Sequence, residues 1–304
     1  MTNDFNNHSE RAQAHIQANE SVQREDEKLS RRTLMMAGAA LAPLAAMPAL
    51  GQEVSPSKSA RPNGKVALVT GSSRGIGAAV AKRLARDGFK VTVNGVSNNA
   101  LGEAIVDEIK ASGGEAIYVQ GDVSISADVQ RVFDASEKAF GGVDAVINSA
   151  GIMRLAPIAR MSDEDFVRMM DVNLKGGFFV MREAARRVRD GGRIVTFSSS
   201  ITLLRSPTYG PYAASKAAQE MFAGVLAKEV GSRGVCVNAI APGLVDTTLF
   251  TDGKTAEQIQ GFVQRTPLGR LGEPEDIANV IAALVGPDAG WISGQVIFAN
   301  GAFV

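Results

Sequence analysis

The sequence predicts an α/β fold: a single domain over residues 65–304, built on a doubly wound parallel sheet of seven strands. Three observations predict it. Seven short apolar segments recur along those residues, and helical patterns fill most of the gaps between them with no internal repeat. Glycine, asparagine and serine motifs also stand at or just past the ends of the segments. Ligands of such sheets bind outside the carboxyl ends of the strands, so residues far apart in sequence would meet along one edge.

The first strand, Val66 to Thr70, is a short apolar run of the kind a sheet covered on both faces buries. It leads into Gly71-Ser72-Ser73-Arg74-Gly75-Ile76-Gly77 and then a helical pattern through about Asp87. Strand, glycine turn and helix form a phosphate-binding unit, spaced Gly-x3-Gly-x-Gly. Gly71 permits the tight turn, Gly75 lets backbone approach a pyrophosphate, and Gly77 lets the helix pack closely on the strand. The helix N-terminus adds oriented N–H groups and a partial positive charge. Further strands are predicted at Lys90 to Asn94, Ala116 to Gln120, Ala145 to Asn148, Arg193 to Ser198, Val235 to Ala241 and Gln295 to Ala299. Right-handed crossovers through the helices would make them parallel. Cys236, the only cysteine, sits between two valines of the sixth strand and reads as a buried thiol without a disulfide partner in the chain.

With 304 residues, 45% hydrophobic and 21% charged, the chain can bury a large core without the composition of a membrane or disordered protein. Net charge is zero, and residues 52–304 keep 27 Lys/Arg against 26 Asp/Glu, so no basic stripe points to nucleic acid. Both histidines, His8 and His15, precede the domain. Ser-His-Asp and Cys-His catalysis and His/Cys zinc sites are thereby excluded from it, and with them a serine hydrolase. What remains is Tyr212-Ala213-Ala214-Ser215-Lys216, with Ser199 thirteen residues upstream of the tyrosine. If Tyr212 enters a helix, Lys216 lies one turn along the same face. Its ammonium would favour the phenolate and draw a pKa of about 10 toward neutrality, making a general acid/base.

Thr70-Gly-Ser-Ser-Arg-Gly-Ile-Gly77, Asn148-Ser-Ala-Gly151, Asn173, Ser199, Tyr212-x3-Lys216 and Pro242-Gly243 occur in the order and spacing of the short-chain dehydrogenase/reductase family, which the chain resembles from Lys65 onward. The resemblance implies a Rossmann-type domain and hydride transfer between a nicotinamide cofactor and a carbonyl/alcohol pair. It further implies that Tyr212 handles the hydroxyl proton, Lys216 lowers its pKa and holds the nicotinamide ribose, Ser199 positions the substrate oxygen, and Asn173 supports a water-linked proton relay. The cofactor residues it implies are Gly71, Ser73, Arg74, Gly75, Ile76, Gly77, Asn94, Asp122, Val123, Asn148, Ala150, Gly151, Tyr212, Lys216, Pro242, Gly243, Val245 and Thr247. No carboxylate follows the second strand in Asn94-Gly95-Val96-Ser97-Asn98, where one would bind the ribose hydroxyls of NAD. Arg74 is placed to meet a 2′-phosphate, with Asn94, Ser97 and Asn98 as further donors, so the expected cofactor is NADP (NADPH). A helix N-cap at Ser124 or Ser126 is compatible with Asp122-Val123 contacting the adenine. Two departures stand out: Ser149 where the family has a second asparagine, and Asn300-Gly301-Ala302 in place of Asp-Gly-Gly. A homotetramer is a further expectation from the resemblance.

Residues 1–51 differ from the rest. They are polar up to Leu29 and continue as Ser30-Arg31-Arg32-Thr33-Leu34-Met35, an apolar alanine-rich stretch from Met36 to Leu50, and Gly51. The pattern resembles a twin-arginine signal peptide, implying periplasmic export of a folded enzyme, with a cytoplasmic disordered tail as the alternative. The stretch is shorter than the roughly 20 residues a spanning helix needs and holds Pro43 and Pro48, so no stable membrane insertion is expected. Residues 52–64 read as a linker.

The substrate pocket should be lined by residues after Gly151, between Ser199 and Tyr212, and from Asp246 to about Arg265, a segment long enough for a mobile lid. Met153, Leu155, Leu203, Leu204, Tyr209, Leu249 and Phe250 make that region apolar, and Arg154 is a candidate receiver of an anionic group, although a solvated surface arginine is the stronger reading. The lining suits a medium-sized ketone or a 3-oxoacyl thioester, as in 3-oxoacyl-[acyl-carrier-protein] reductases. Sugar dehydrogenases share the framework, and a non-catalytic dinucleotide-binding redox sensor is the alternative outside enzymes.

Overall fold

The sheet is built from strands that bury both faces. In the computed structural model β1 (Val66–Thr70) is buried at every position, and β2 (Lys90–Gly95) pairs with it in parallel, Ala67 opposite Val91. β3 (Glu115–Gln120), β4 (Val143–Asn148), β5 (Val188–Phe197), β6 (Cys236–Pro242) and β7 (Val296–Ala299) complete a seven-stranded parallel sheet in the order β3-β2-β1-β4-β5-β6-β7. The chain starts in the middle, winds outward to β3, crosses back beside β1 at β4 and winds outward again. That crossover between β1 and β4 is the switch point at which such sheets open a cleft. The structure describes residues 63–96 and 99–304, all within the second of two units of the chain, Met1–Pro56 and Ser57–Val304. The segment expected to be a signal peptide and most of the expected linker, together with Ser97 and Asn98, lie outside the described residues.

Alternation along each strand sends side chains into two separate cores. Val69, Val93, Ile147 and Ile240 pack against α1 (Gly75–Arg86), α2 (Asn99–Ala111) and, near the C-terminus, Pro274–Val285. Leu68, Val146, Ile194 and Val237 face α3 (Ser126–Phe140) and, further on, the helices at Gly177–Arg187 and Gly210–Val230. Each fully buried Leu, Ile or Phe contributes about 1.5–3 kcal/mol by leaving water, so the paired cores fix the strand ends against which the site is built. Cys236 is buried in β6, its thiol directed at the Gly290 carbonyl at 3.4 Å.

Between the layers run α4 (Asp163–Met170), a π-helical turn at Asp171–Gly176, α5 (Gly177–Arg187), short α6 (Ile201–Leu204), α7 (Gly210–Val230), short α8 (Thr248–Thr251), α9 (Ala256–Arg265) and α10 (Pro274–Val285). Six predicted strands match to within two residues at either end. β5 begins five residues earlier than its sequence signal, because Val188 pairs with Val143 before a register shift around Gly191-Gly192 resets the ladder at Arg193. Residues Arg189-Asp190-Gly191-Gly192 carry turn chemistry that hides this start. No helix among the described residues is long and apolar enough to cross a membrane.

Candidate active site

The glycine turn is shaped by crowding. Gly71 has φ +61°, and a methyl group there would lie 2.7 Å from Cα of Ala150 in the turn after β4, so the two turns at the switch point touch backbone to backbone. A methyl at Gly77 would lie 2.4 Å from the Gly71 carbonyl oxygen, which is how closely α1 is seated on its own entry turn. No side chain caps α1, and its first turn carries no acid. Its opening N–H groups are therefore free for an anion, with the positive end of the helix dipole behind them. These features fit the pyrophosphate of a dinucleotide.

A cleft of about 550 Å³ runs along the carboxyl edge of the sheet. It is walled by Gly71, Ser73, Arg74, Gly75, Ile76, Gly77, Asn94, Asp122, Val123, Ala150, Gly151, Ser199, Tyr212, Lys216, Pro242, Gly243, Val245 and Thr247. Of the twenty site residues expected from sequence, eighteen thus share one wall. The other two, Asn148 and Asn173, stand behind it as braces. Asn148 is buried at the end of β4, its Nδ2 donating to Thr196 Oγ1 at 3.0 Å and Gln219 Oε1 at 3.3 Å. Asn173, on the π-helical turn, accepts from Ile152 N at 2.9 Å and donates to Ile152 O at 2.8 Å and Ser215 Oγ at 3.2 Å. Both side-chain amides are spent on protein partners, so each residue braces the wall from behind through its side chain.

The proton-transfer set sits on the buried stripe of α7. Tyr212, Ser215, Lys216, Gln219 and Ala223 fall at i, i+3, i+4, i+7 and i+11, the spacing of one helix face, and all are buried. Pro211 in the first turn helps to start the helix. The Ser199 hydroxyl bonds the Tyr212 phenol, and the Lys216 ammonium lies 5.8 Å from the phenol ring centroid. It donates to the Phe197 carbonyl at 2.9 Å. Burial pushes Tyr212 up to about 12, against the lowering pull of Ser199, and burial pushes Lys216 down to about 8. Burial thus favours the neutral form of both groups, and the Ser199 hydroxyl is the partner that draws Tyr212 back down.

Around the rim, Arg74 is exposed, and its guanidinium makes no ion pair or hydrogen bond among the described residues. Asn94 lines the wall, but its two amide hydrogens go to the Val119 and Gly121 carbonyls, both at 3.1 Å. It braces the turn rather than offering a donor. Asp122 takes hydrogen bonds from Ser124 N and Oγ and pairs with Arg168 at 3.1 Å. Burial opposes its ionisation, yet those partners together hold its carboxyl below the ordinary range. α3 starts after Ile125, with no side-chain cap, so neither Ser124 nor Ser126 caps it: Ser124 serves Asp122, and Ser126 accepts from Arg182. Among the expected substrate residues Met153, Leu204, Tyr209, Leu249 and Phe250 line the cleft, whereas Leu155 and Leu203 face solvent. Arg154 pairs with Asp165 at 3.3 Å away from the wall.

Sequence reasoning missed several residues. Gln219, buried at the centre of α7, donates to Asn173 O at 2.7 Å and accepts from Thr196 Oγ1 at 2.7 Å, joining helix, π turn and sheet. Glu220 accepts from both Ser198 Oγ and Thr202 Oγ1 and so grips the segment on either side of Ser199. Their positions, four residues beyond Ser215 and Lys216 respectively on the same helix, were the available signal. Phe303 also reaches the cleft from outside the expected lining, whereas Phe262 and Arg265 lie within the expected Asp246 to Arg265 stretch.

A parallel sheet with a glycine turn and a buried Ser-Tyr-Lys set along one edge defines an α/β oxidoreductase. A family profile described as Enoyl-(Acyl carrier protein) reductase matches residues 71–303. The chain is 42% identical over 255 residues to an NADPH-dependent aldehyde reductase-like chloroplastic protein of Arabidopsis thaliana, covering 79% of this chain and 94% of the relative. It is 40% identical over 248 residues to a short-chain type dehydrogenase/reductase of Picea abies, covering 78% and 92%. A short chain dehydrogenase of Burkholderia cenocepacia J2315, solved in complex with NADP, superposes with a TM-score of 0.75 at 36% identity over 79% of this chain and 98% of that one. The chain belongs to the short-chain dehydrogenase/reductase family.

Proposed function

We propose that the protein is an NADP(H)-dependent carbonyl reductase acting on a largely apolar ketone or aldehyde. The observation that carries this reading is the set of Ser199, Tyr212 and Lys216 on the wall of the cleft that Arg74 overlooks, with no carboxylate beside Arg74 at the end of β2. When bound, the cofactor supplies the hydride. The turn Gly71–Gly77 and the N-terminus of α1 hold its pyrophosphate, and Arg74 with Ser73 receives the 2′-phosphate that the Burkholderia relative's NADP also carries. Ser199 and Tyr212 point two hydroxyls at the substrate oxygen, where negative charge develops during reduction. Tyr212, a donor throughout the neutral range, gives its proton to that oxygen. Lys216 would hold the ribose hydroxyls through its buried ammonium. Asn173 and Gln219 keep the floor of the site in register.

The test is NADPH consumption by the full chain against aryl ketones, aldehydes and 3-oxoacyl thioesters, with NADH in parallel. NADPH-preferring turnover that Tyr212→Phe abolishes while NADPH still binds supports the reading. Tight NADPH binding with no turnover on any carbonyl or sugar sinks it in favour of a sensor.

Two broader readings belong with it. Among the exposed apolar residues, Phe178, Met221 and Val225 lie on α5 and α7, and Trp291, Ile292 and Phe298 lie on or near edge strand β7. Two self-complementary patches suit a homotetramer with two kinds of two-fold contact. The Arg31-Arg32 motif before an apolar stretch supports export by the twin-arginine route to the periplasm. Changing both arginines to lysine should leave the chain in the cytoplasmic fraction. Equal export of the variant excludes that route.

A further inference from the structure

The cleft has an imbalance of charge that the cofactor leaves standing. Its wall contains one carboxylate, Asp122, already neutralised by Arg168, and three cations without a carboxylate partner: Arg74, Lys216 and Arg265. The reductase reading uses the first two. Arg265 remains, at the C-terminal end of α9, its Nε making only a long bond of 3.4 Å to the Gly261 carbonyl of its own helix. Its guanidinium is held against aromatic rings, 4.8 Å from the centroid of Phe262 and 5.8 Å from that of Phe303. Phe262 in turn meets Phe250 edge-on at 5.3 Å, and Tyr209 meets Tyr212 at 6.5 Å. The loops after β5 and β6 thus bring an aromatic wall and a cation to the cleft that holds the reacting tyrosine. The rings lie beside an exposed guanidinium whose Nη groups remain for a fork-shaped bond to a carboxylate.

We infer that the substrate is a ring-sized apolar ketone that carries a carboxylate, and that Arg265 is the residue that receives it. The inference rests on the reductase reading of the same cleft. The apolar body lies among Tyr209, Phe250 and Phe262, the carboxylate pairs with Arg265, and the ketone is left facing Ser199 and Tyr212. In reduction the carbonyl carbon gains a hydride, its oxygen gains the Tyr212 proton, the dinucleotide is oxidised, and the carboxylate is unchanged. Arg265 acts remotely from the bond that changes, so its contribution falls on binding and orientation rather than on proton transfer.

The test compares 4-acetylbenzoate with methyl 4-acetylbenzoate, which differ in charge but hardly in shape, using the full-length protein and NADPH. Wild type should show a kcat/KM at least about tenfold higher for the acid. Arg265→Met should remove that preference through KM, with kcat for the acid and both constants for the ester within about twofold. Equal use of acid and ester by wild type, or equal losses on both in the variant, overturns the assignment and leaves the reductase reading intact. If NADPH is oxidised with neither ketone nor any other carbonyl, that reading fails separately. The anion site is then judged by titrating 2-naphthoate into the NADPH-bound protein: binding lost in Arg265→Met supports it, and no binding to wild type overturns it.

Discussion

Lys216 shows what the site costs in stability. Its amine is buried, and burial has lowered its pKa from the ordinary 10.5 to about 8. Below pH 8 the folded protein must bury a charge that the unfolded chain keeps in water. Between pH 8 and about 10.5 the unfolded chain binds the extra proton, so stability rises with pH across that window. Lys216→Met should remove the penalty, stabilising the protein at pH 7 by up to about 3 kcal/mol and flattening the rise, while turnover is lost. Denaturant unfolding at pH 7 and pH 9.5 measures both, and a variant weaker than wild type at pH 7 would mean that the bond to the Phe197 carbonyl outweighs desolvation. A second residue-scale prediction concerns Glu220, which holds Ser198 and Thr202 on either side of Ser199. Glu220→Gln keeps the shape but weakens two charge-assisted bonds, so kcat should fall about tenfold with the NADPH dissociation constant unchanged. Equal loss of thermal stability and no change in kcat would make the clamp purely structural.

At the scale of elements, the C-terminal turn repays attention because the sequence already marked it as unusual. Ala302 has φ +63°, a left-handed conformation that glycine adopts freely and alanine does not. The turn is kept by Asn300, which donates to Ser200 Oγ at 3.2 Å and accepts from Ala302 N at 3.1 Å, while its Cα would lie 2.7 Å from a methyl placed on Gly243. Ala302→Gly should therefore stabilise the protein by about 0.5–1 kcal/mol, the relief of strain exceeding the extra freedom of the unfolded chain. A lower Tm in the variant would refute this. Elements of this kind were legible where the signal is local. The strand runs, the turn around Gly71 and the Tyr212-Lys216 step each depend on a few consecutive residues. What stayed hidden depends on partners far along the chain. Gln219 reads as an ordinary polar helix residue until Thr196, Asn148 and Asn173 surround it, and the start of β5 reads as a turn until Val143 lies beside Val188. Ser126 has the chemistry of a helix cap, yet Arg182 takes its hydroxyl. The i+4 spacing of Tyr212 and Lys216 likewise announces their proximity but not the depth at which both are buried.

For the whole molecule, the proposed homotetramer can be tested one face at a time, through the apolar residues of α5 and α7 and those around β7. Met221→Glu on the α5/α7 face and Trp291→Arg beside β7 should each halve the tetramer to a dimer, and together should give a monomer. Light scattering during gel filtration reads the masses directly, and a wild-type monomer would refute the assembly outright. The sheet bears on a different property through its only sulfhydryl. Cys236 lies within β6, between β5 and β7, with its sulfur toward the Gly290 carbonyl. The native chain therefore presents no accessible thiol for cross-linking, mixed-disulfide formation or oxidation, and its covalent structure is the same whether the surrounding compartment is reducing or oxidising.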